Sequence, residues 1–118
     1  MTDNTNQPAK QRTLRIYDRY FRMIADGSKT LEVRVGYGSI RRIREGDVLV
    51  FQARNATCRR RVTAVRTYPD FAQMLDQEDA TKINPSQPAA QQLVDIRRIF
   101  PRDKEALGVY VFELEPVS

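Results

Sequence analysis

Apolar positions along this chain follow two spacings, alternation in twos and recurrence at three to four residues, and the switches between them mark its elements. Thr13 to Tyr17 alternates and predicts a short strand. Asp18 is placed to cap a helix, and Phe21, Ile24 and Ala25 recur at helical spacing up to Asp26. Gly27 follows, a residue suited to the left-handed conformation that ends a helix. From Thr30 to Val35 the alternation returns. Leu31, Val33 and Val35 share one side, and Thr30, Glu32 and Arg34 the other, which predicts a half-buried strand with a polar face.

A turn-rich loop, Gly36-Tyr37-Gly38-Ser39, leads into Ile40-Arg41-Arg42-Ile43-Arg44. Glu45-Gly46-Asp47 is a tight turn into Val48–Phe51, a strand with little alternation that is expected to be buried. Arg54-Asn55-Ala56-Thr57 reads as a hairpin connection, and Cys58 to Tyr68 as a long strand. Pro69 and Asp70 open a short helix with Phe71, Met74 and Leu75 inward. Gln77 to Asn84 reads as loop. Ser86 to Phe100 is a second helix with Leu93, Ile96 and Phe100 on its apolar stripe, ended by Pro101. Leu107 to Glu115 is a closing strand, and Val109 to Phe112, apolar on both faces, makes it central. Residues 1–12 are expected to form a disordered tail and residues 13–118 a single domain. Short strands with few helices favour an α+β, mainly β barrel with short flanking helices.

The length of 118 residues suits one domain with one core. No apolar run approaches the ~20 residues that span a bilayer, and no secretory signal is visible, so a cytoplasmic protein without membrane association is expected. The chain has no histidine and one cysteine, Cys58. That excludes an internal disulfide, zinc sites built on Cys and His, and Ser-His or Cys-His nucleophile pairs. No metal and no cofactor is expected. Catalysis, if any, falls to Lys, Glu, Asp, Tyr or Ser/Thr. Cys58 is expected to be a structural thiol, and Asp76, Glu78 and Asp79 a solvated loop.

The net charge of +5 is unevenly spread. From Arg34 to Arg66 nine arginines stand against two acids, Glu45 and Asp47, whereas Thr67 to Ile96 holds one lysine and five acids. Arginine suits planar recognition of phosphate and stacking on bases, so the basic stretch points to a polyanion. On a strand, Arg59 and Arg61 share a face and Arg60 takes the other. Tyr37 either stacks on a base or packs on the barrel rim.

The candidate chemistry is concentrated where the first helix meets the second strand. Lys29 enters the strand, and Thr30, Glu32 and Arg34 follow on its polar face, offering charge, donors and an acceptor. Gly27-Ser28-Lys29-Thr30-Leu31-Glu32-Val33-Arg34 resembles the G-x-K-x-x-E-x-R signature of the ASCH family. Glu45 to Phe51, Tyr68 to Leu75 and Glu105 to Phe112 resemble three further segments of that family in the right order. The resemblance implies a PUA-like β-barrel with a cleft at the signature, and RNA-related ligands. One branch resembles small amidohydrolases acting on N4-acetylcytidine through the signature Lys, a Thr on the next strand and a Glu before the second helix. Lys29 matches the Lys. Glu32 stands at the Thr position and Asn84-Pro85 near the Glu position, so this chain departs from that branch.

Two readings follow. In the first, the domain binds RNA or a nucleotide-like ligand in a basic cleft. Lys29, Thr30, Glu32 and Arg34 lie inside it, Tyr37 at its edge, and Arg41, Arg42, Arg44, Arg59 and Arg61 along the phosphates. In the second, it is a small hydrolase, a ribonuclease or an N4-acetylcytidine amidohydrolase-like enzyme, acting through Lys29 and Glu32. A third and weaker reading is a domain that docks a protein partner through its acidic helical segment.

Overall fold

The structure, a computed structural model, describes residues 9–117. Five strands form one mixed sheet: β1 (Gln11–Arg15), β2 (Leu31–Val35), β3 (Val48–Ala53), β4 (Ala56–Tyr68) and β5 (Val109–Pro116). Their spatial order is β1-β3-β4-β5-β2, so β1 and β2 are the two edges. The β1 and β3 strands run parallel, and the remaining pairs are antiparallel. The sheet curls into a half-barrel flanked by short helices, an α+β, mainly β architecture. The helices are α1 (Asp18–Asp26), α2 (Gly38–Arg41), α3 (Phe71–Gln77), α4 (Ala80–Ile83), α5 (Ala89–Ile99) and α6 (Arg102–Glu105).

Strand alternation builds a core on each face of the sheet. On one face Leu49, Phe51, Val62, Phe112 and Leu114 meet Ile24 of α1 and Ile40 and Ile43, with Cys58 packed at the margin. On the other, Leu31, Val33, Val35, Val109 and Val111 meet Phe71 and Met74 of α3 and Ile83 of α4, backed by Leu93 and Ile96 of α5. The central place expected for the last strand follows from this: β5 lies between β4 and β2 and feeds both cores.

The elements differ from the sequence pattern in several places, and the expected loop after β2 contains the single helical turn α2. The first strand starts at Gln11, inside the expected tail, because Lys10 and Arg12 are tied to Asp47 and Val48 at the head of β3. The remainder of that tail, residues 1–8, lies outside the described residues. The expected loop after α3 contains α4, a single turn whose Asp79 cap accepts from the Thr81 N–H. Pro101 ends α5 but also opens α6, whose Glu105 is buried. Single turns carry no periodic apolar signal, so the pattern does not show them.

Two residues pin the barrel end. The Gly36 N–H donates to Gly108 O, and a Cβ on Gly36 would sit 2.5 Å from Leu107 O and 2.9 Å from Tyr110 Cε1. Backbone cannot yield there cheaply, so Gly36→Ala is expected to lower unfolding free energy by about 1–3 kcal/mol, read by urea denaturation. Glu105 accepts from the Phe71 N–H at 2.9 Å and from the Arg97 guanidinium at 3.1 Å, which locks α3, α5 and α6 together.

Candidate functional site

The site begins at the end of α1. Gly27 adopts a left-handed conformation (φ 86°) and its N–H donates to Ile24 O, while the Lys29 N–H reaches back to Met23 O. This reversal turns the Lys29 side chain inward and delivers the chain into β2, with the Leu114 N–H donating to Thr30 O. The Lys29 ammonium donates to Leu31 O at 2.6 Å and Ile83 O at 2.8 Å, and lies 3.3 Å from Glu32 Oε1. Its three protons therefore meet three acceptors. The Arg34 Nε donates to Glu32 Oε2 at 2.6 Å, and Arg34 Nη2 donates to Arg15 O at 2.8 Å. Lys29 and Glu32 are only 5% and 4% exposed.

Burial pushes the Glu32 carboxyl up, but Arg34 and Lys29 together pull it further down, so it titrates below the ordinary carboxylate range. Burial pushes the Lys29 ammonium down by more than Glu32 restores, with Arg34 adding repulsion. Glu105 follows the logic of Glu32: burial raises it, and Arg97 with the Phe71 N–H brings it net below its usual value. A carboxyl depressed in the folded state contributes stability above its unfolded pKa and loses it as pH falls through the folded value. The urea midpoint is therefore expected to hold near neutrality and to drop once the pH passes below the ordinary carboxylate range. A flat acid limb in a urea–pH series would contradict the pairing.

Above this constellation is a cavity of about 380 Å³. It opens at the seam where the two sheet edges approach, with the Arg34 bond to Arg15 O spanning the gap. The β1 side supplies Arg15, Ile16, Tyr17 and Tyr20, and the β2 side Lys29, Glu32, Val33 and Arg34. The α3 to α5 layer supplies Leu75, Ile83, Asn84, Gln92, Asp95, Ile96 and Phe100, among others. The bonds from Leu114 to Thr30 and from Gly36 to Gly108 set the pairing phase of β2 and β5. Even-numbered β2 residues bond to β5, and Leu31, Val33 and Val35 turn their backbone groups to the unpaired edge. Lys29 occupies that edge at Leu31; Val33 lines the cavity. The Gln92 Nε2 donates to Ala80 O, Asn84 O and Gln87 O, stitching α4 and the following loop to α5. Its Oε1 is buried without a partner among the described residues.

The structure gathers only part of the set expected from sequence. Lys29, Glu32 and Arg34 meet in the cavity. Thr30, just ahead of β2, lines a separate polar cleft with Arg66, Glu78, Lys82 and Glu113. Glu78 of the expected solvated loop is an ion-pair partner of Arg66, and Asp79 is the α4 cap. Tyr37 lies off the cavity, 41% exposed, with the Lys104 ammonium 5.8 Å from its ring. The Arg41 guanidinium donates to Leu107 O, near the start of β5. Arg42 O accepts from Arg12, and the Arg44 N–H donates to Asp47, both at the end of β1 opposite Arg15. Arg59 and Arg61 share one sheet face, bonded to Gln11 Oε1 and Gly46 O. The cavity itself has mainly apolar walls, and its buried charges are paired, in place of the expected basic cleft. Strand phase separates Arg60 from Arg59 and Arg61, and Arg41, Arg42 and Arg44 lie off the strands, in and after α2.

Residues that sequence reasoning left out complete the site: Arg15, Tyr17, Tyr20, Asn84, Gln92 and Asp95. Tyr17, not Tyr37, is the exposed aromatic at the cavity, 62% accessible and 6.4 Å from the Tyr20 ring. The alternation of β1 holds a signal for Arg15, which falls on its polar face. Nothing local marks Gln92.

Comparison with known proteins agrees with this fold. The hypothetical protein PH0355 superposes with a TM-score of 0.82 at 24% identity, covering 91% of this chain and 99% of that one. Protein PF0455 from Pyrococcus furiosus gives a TM-score of 0.71 at 27% identity, covering 93% and 98%. An ASCH protein variant from Zymomonas mobilis gives 0.66 at 14% identity, covering 92% and 70%. No curated protein sequence matches. The family model of the ASCH domain matches residues 14–118, from within β1 to past the end of β5, and so takes in Lys29, Glu32, Arg34 and the strands that position them. On that match, which spans nearly the whole chain, the chain belongs to the ASCH domain family.

Proposed function

We propose that the cavity between β1 and β2 binds a base of RNA or of a nucleotide-like ligand. One observation carries this reading: apolar walls enclose about 380 Å³ around a few polar groups that retain bonding capacity. Ile16, Leu75 and Ile96 give apolar surface, and Tyr20 and Phe100 add planar rings. The Arg15 guanidinium has no hydrogen bond or ion pair among the described residues, and the Val33 backbone lies on the unpaired strand edge. Asp95 keeps an oxygen beyond the one held by Gln91. Lys29 and Glu32 fix the floor, holding the β2 edge to the end of α4. The RNA-related ligands implied by the family resemblance support the same reading.

Hydrolysis through Lys29 and Glu32 is the second reading, favoured by the lowered Lys29 pKa, since a catalytic amine needs its neutral form. Against it, the Lys29 protons and both Glu32 oxygens are already engaged. Binding is the better-supported function.

The test is equilibrium titration with nucleoside monophosphates, with a structured RNA incubated in parallel and sized afterwards. Saturable binding with intact RNA is expected. Leu75→Trp, which fills the cavity from a half-buried position, is expected to weaken binding at least about tenfold while the circular dichroism spectrum is retained. RNA cleavage that disappears in Glu32→Gln would establish the hydrolase instead.

A further inference from the structure

We propose that the base in the cavity belongs to a single strand of RNA whose neighbouring nucleotides stack on Tyr17 and run across the open half of the sheet, over Arg15 and Arg59. This rests on the reading of the cavity as a base site. The helices α3 to α5 cover the sheet face only over β2, β5 and the second half of β4. The register of β1, β3 and the first half of β4 places three rows on the remainder of that face. They are Arg15, Gln52 and Thr57; Thr13, Val50 and Arg59; Gln11, Val48 and Arg61. The bond from Arg59 Nη2 to Gln11 Oε1, 3.2 Å, confirms that β1 and β4 side chains share this side. Gln11, Thr13, Arg15 and Arg59 are exposed.

The rows hold three arginines and no acid; the nearest acid in register is Glu115 of β5, opposite Arg61 at the far margin. Among the described residues Arg59 spends one donor on Gln11 and Arg15 spends none, so both guanidinium groups retain capacity for phosphate oxygens. Arg15 also lines the cavity, which makes the strip continuous with the base site. Tyr17 stands at the same mouth, a large aromatic side chain 62% exposed. A base entering the cavity must be unpaired, and its neighbour is then free to stack on an aromatic ring. Single strands are bound in this way by stacking platforms beside basic tracks.

The experiment measures affinity for RNA oligonucleotides of one to five nucleotides across a salt series, in the wild type and in Arg15→Gln, Arg59→Gln and Tyr17→Ala. All three positions are exposed, so the fold is expected to survive. The readout is the ratio of oligonucleotide to mononucleotide affinity. It is expected to rise with length in the wild type. Tyr17→Ala is expected to lower it about tenfold. Arg59→Gln is expected to flatten the salt slope for the longer oligonucleotides by about 0.7 in log–log units. A ratio that does not rise with length, or a rise that survives all three substitutions, overturns the proposal and leaves the cavity reading standing. If mononucleotides do not bind and Leu75→Trp leaves oligonucleotide affinity unchanged, the cavity reading fails and takes the proposal with it.

Discussion

Lys29→Met is expected to lower the unfolding free energy by about 3–5 kcal/mol, the range for removing one partner of a buried ion pair. Methionine fills similar space but cannot donate. Leu31 O and Ile83 O then lose a charged donor, and Glu32 keeps only Arg34. Because Lys29 joins the β2 edge to the end of α4, the loss falls on the cavity floor. Binding in the cavity is expected to disappear under conditions where the variant is still folded. Urea unfolding gives the first quantity and nucleotide titration the second. A stable Lys29→Met protein with unchanged affinity would mean that the buried ammonium holds nothing together.

Glu32→Leu is expected to be comparably severe for the opposite reason, leaving the buried Lys29 and the largely buried Arg34 as two positive charges without a counter-ion. The two losses are not independent. Once Lys29 is gone, removing Glu32 no longer leaves a buried ammonium unpaired. The double variant Lys29→Met with Glu32→Leu is therefore expected to be less destabilised than the sum of the singles, by about 0.5–3 kcal/mol. Simple additivity would show that the 3.3 Å contact does not couple them. A double-mutant cycle by denaturant unfolding decides it.

Much of this site is legible as local pattern. The helix, the Gly27 reversal and the alternation of Leu31, Val33 and Val35 place Lys29 at the joint and Glu32 with Arg34 on the opposite side. Local pattern does not show that this polar side is buried. Glu32 is enclosed because β1 returns parallel to β3 and brings the opposite sheet edge to the seam, a pairing made far apart in sequence. Asn84 and Gln92 are likewise brought in by the packing of α4 and α5, and neither breaks any local rule. Arginine clustering in sequence overstates clustering in space, since Arg60 turns away to Ile24 O while Arg59 and Arg61 share the other face. Tyr37 and Tyr17 look alike as residues flanking strands, and only the curl of the sheet puts one at the cavity and the other at the barrel end.

The central claim is that the seam cavity is a base site, and titration of ¹⁵N-labelled protein with a nucleoside monophosphate, followed by amide chemical shifts, tests it most directly. The largest changes are expected at Val33 and the neighbouring Lys29 to Arg34 amides, and at Asn84 and Gln92 across the cavity. Changes confined to the β4 arginines, or none at ligand concentrations that saturate ordinary nucleotide sites, would contradict it.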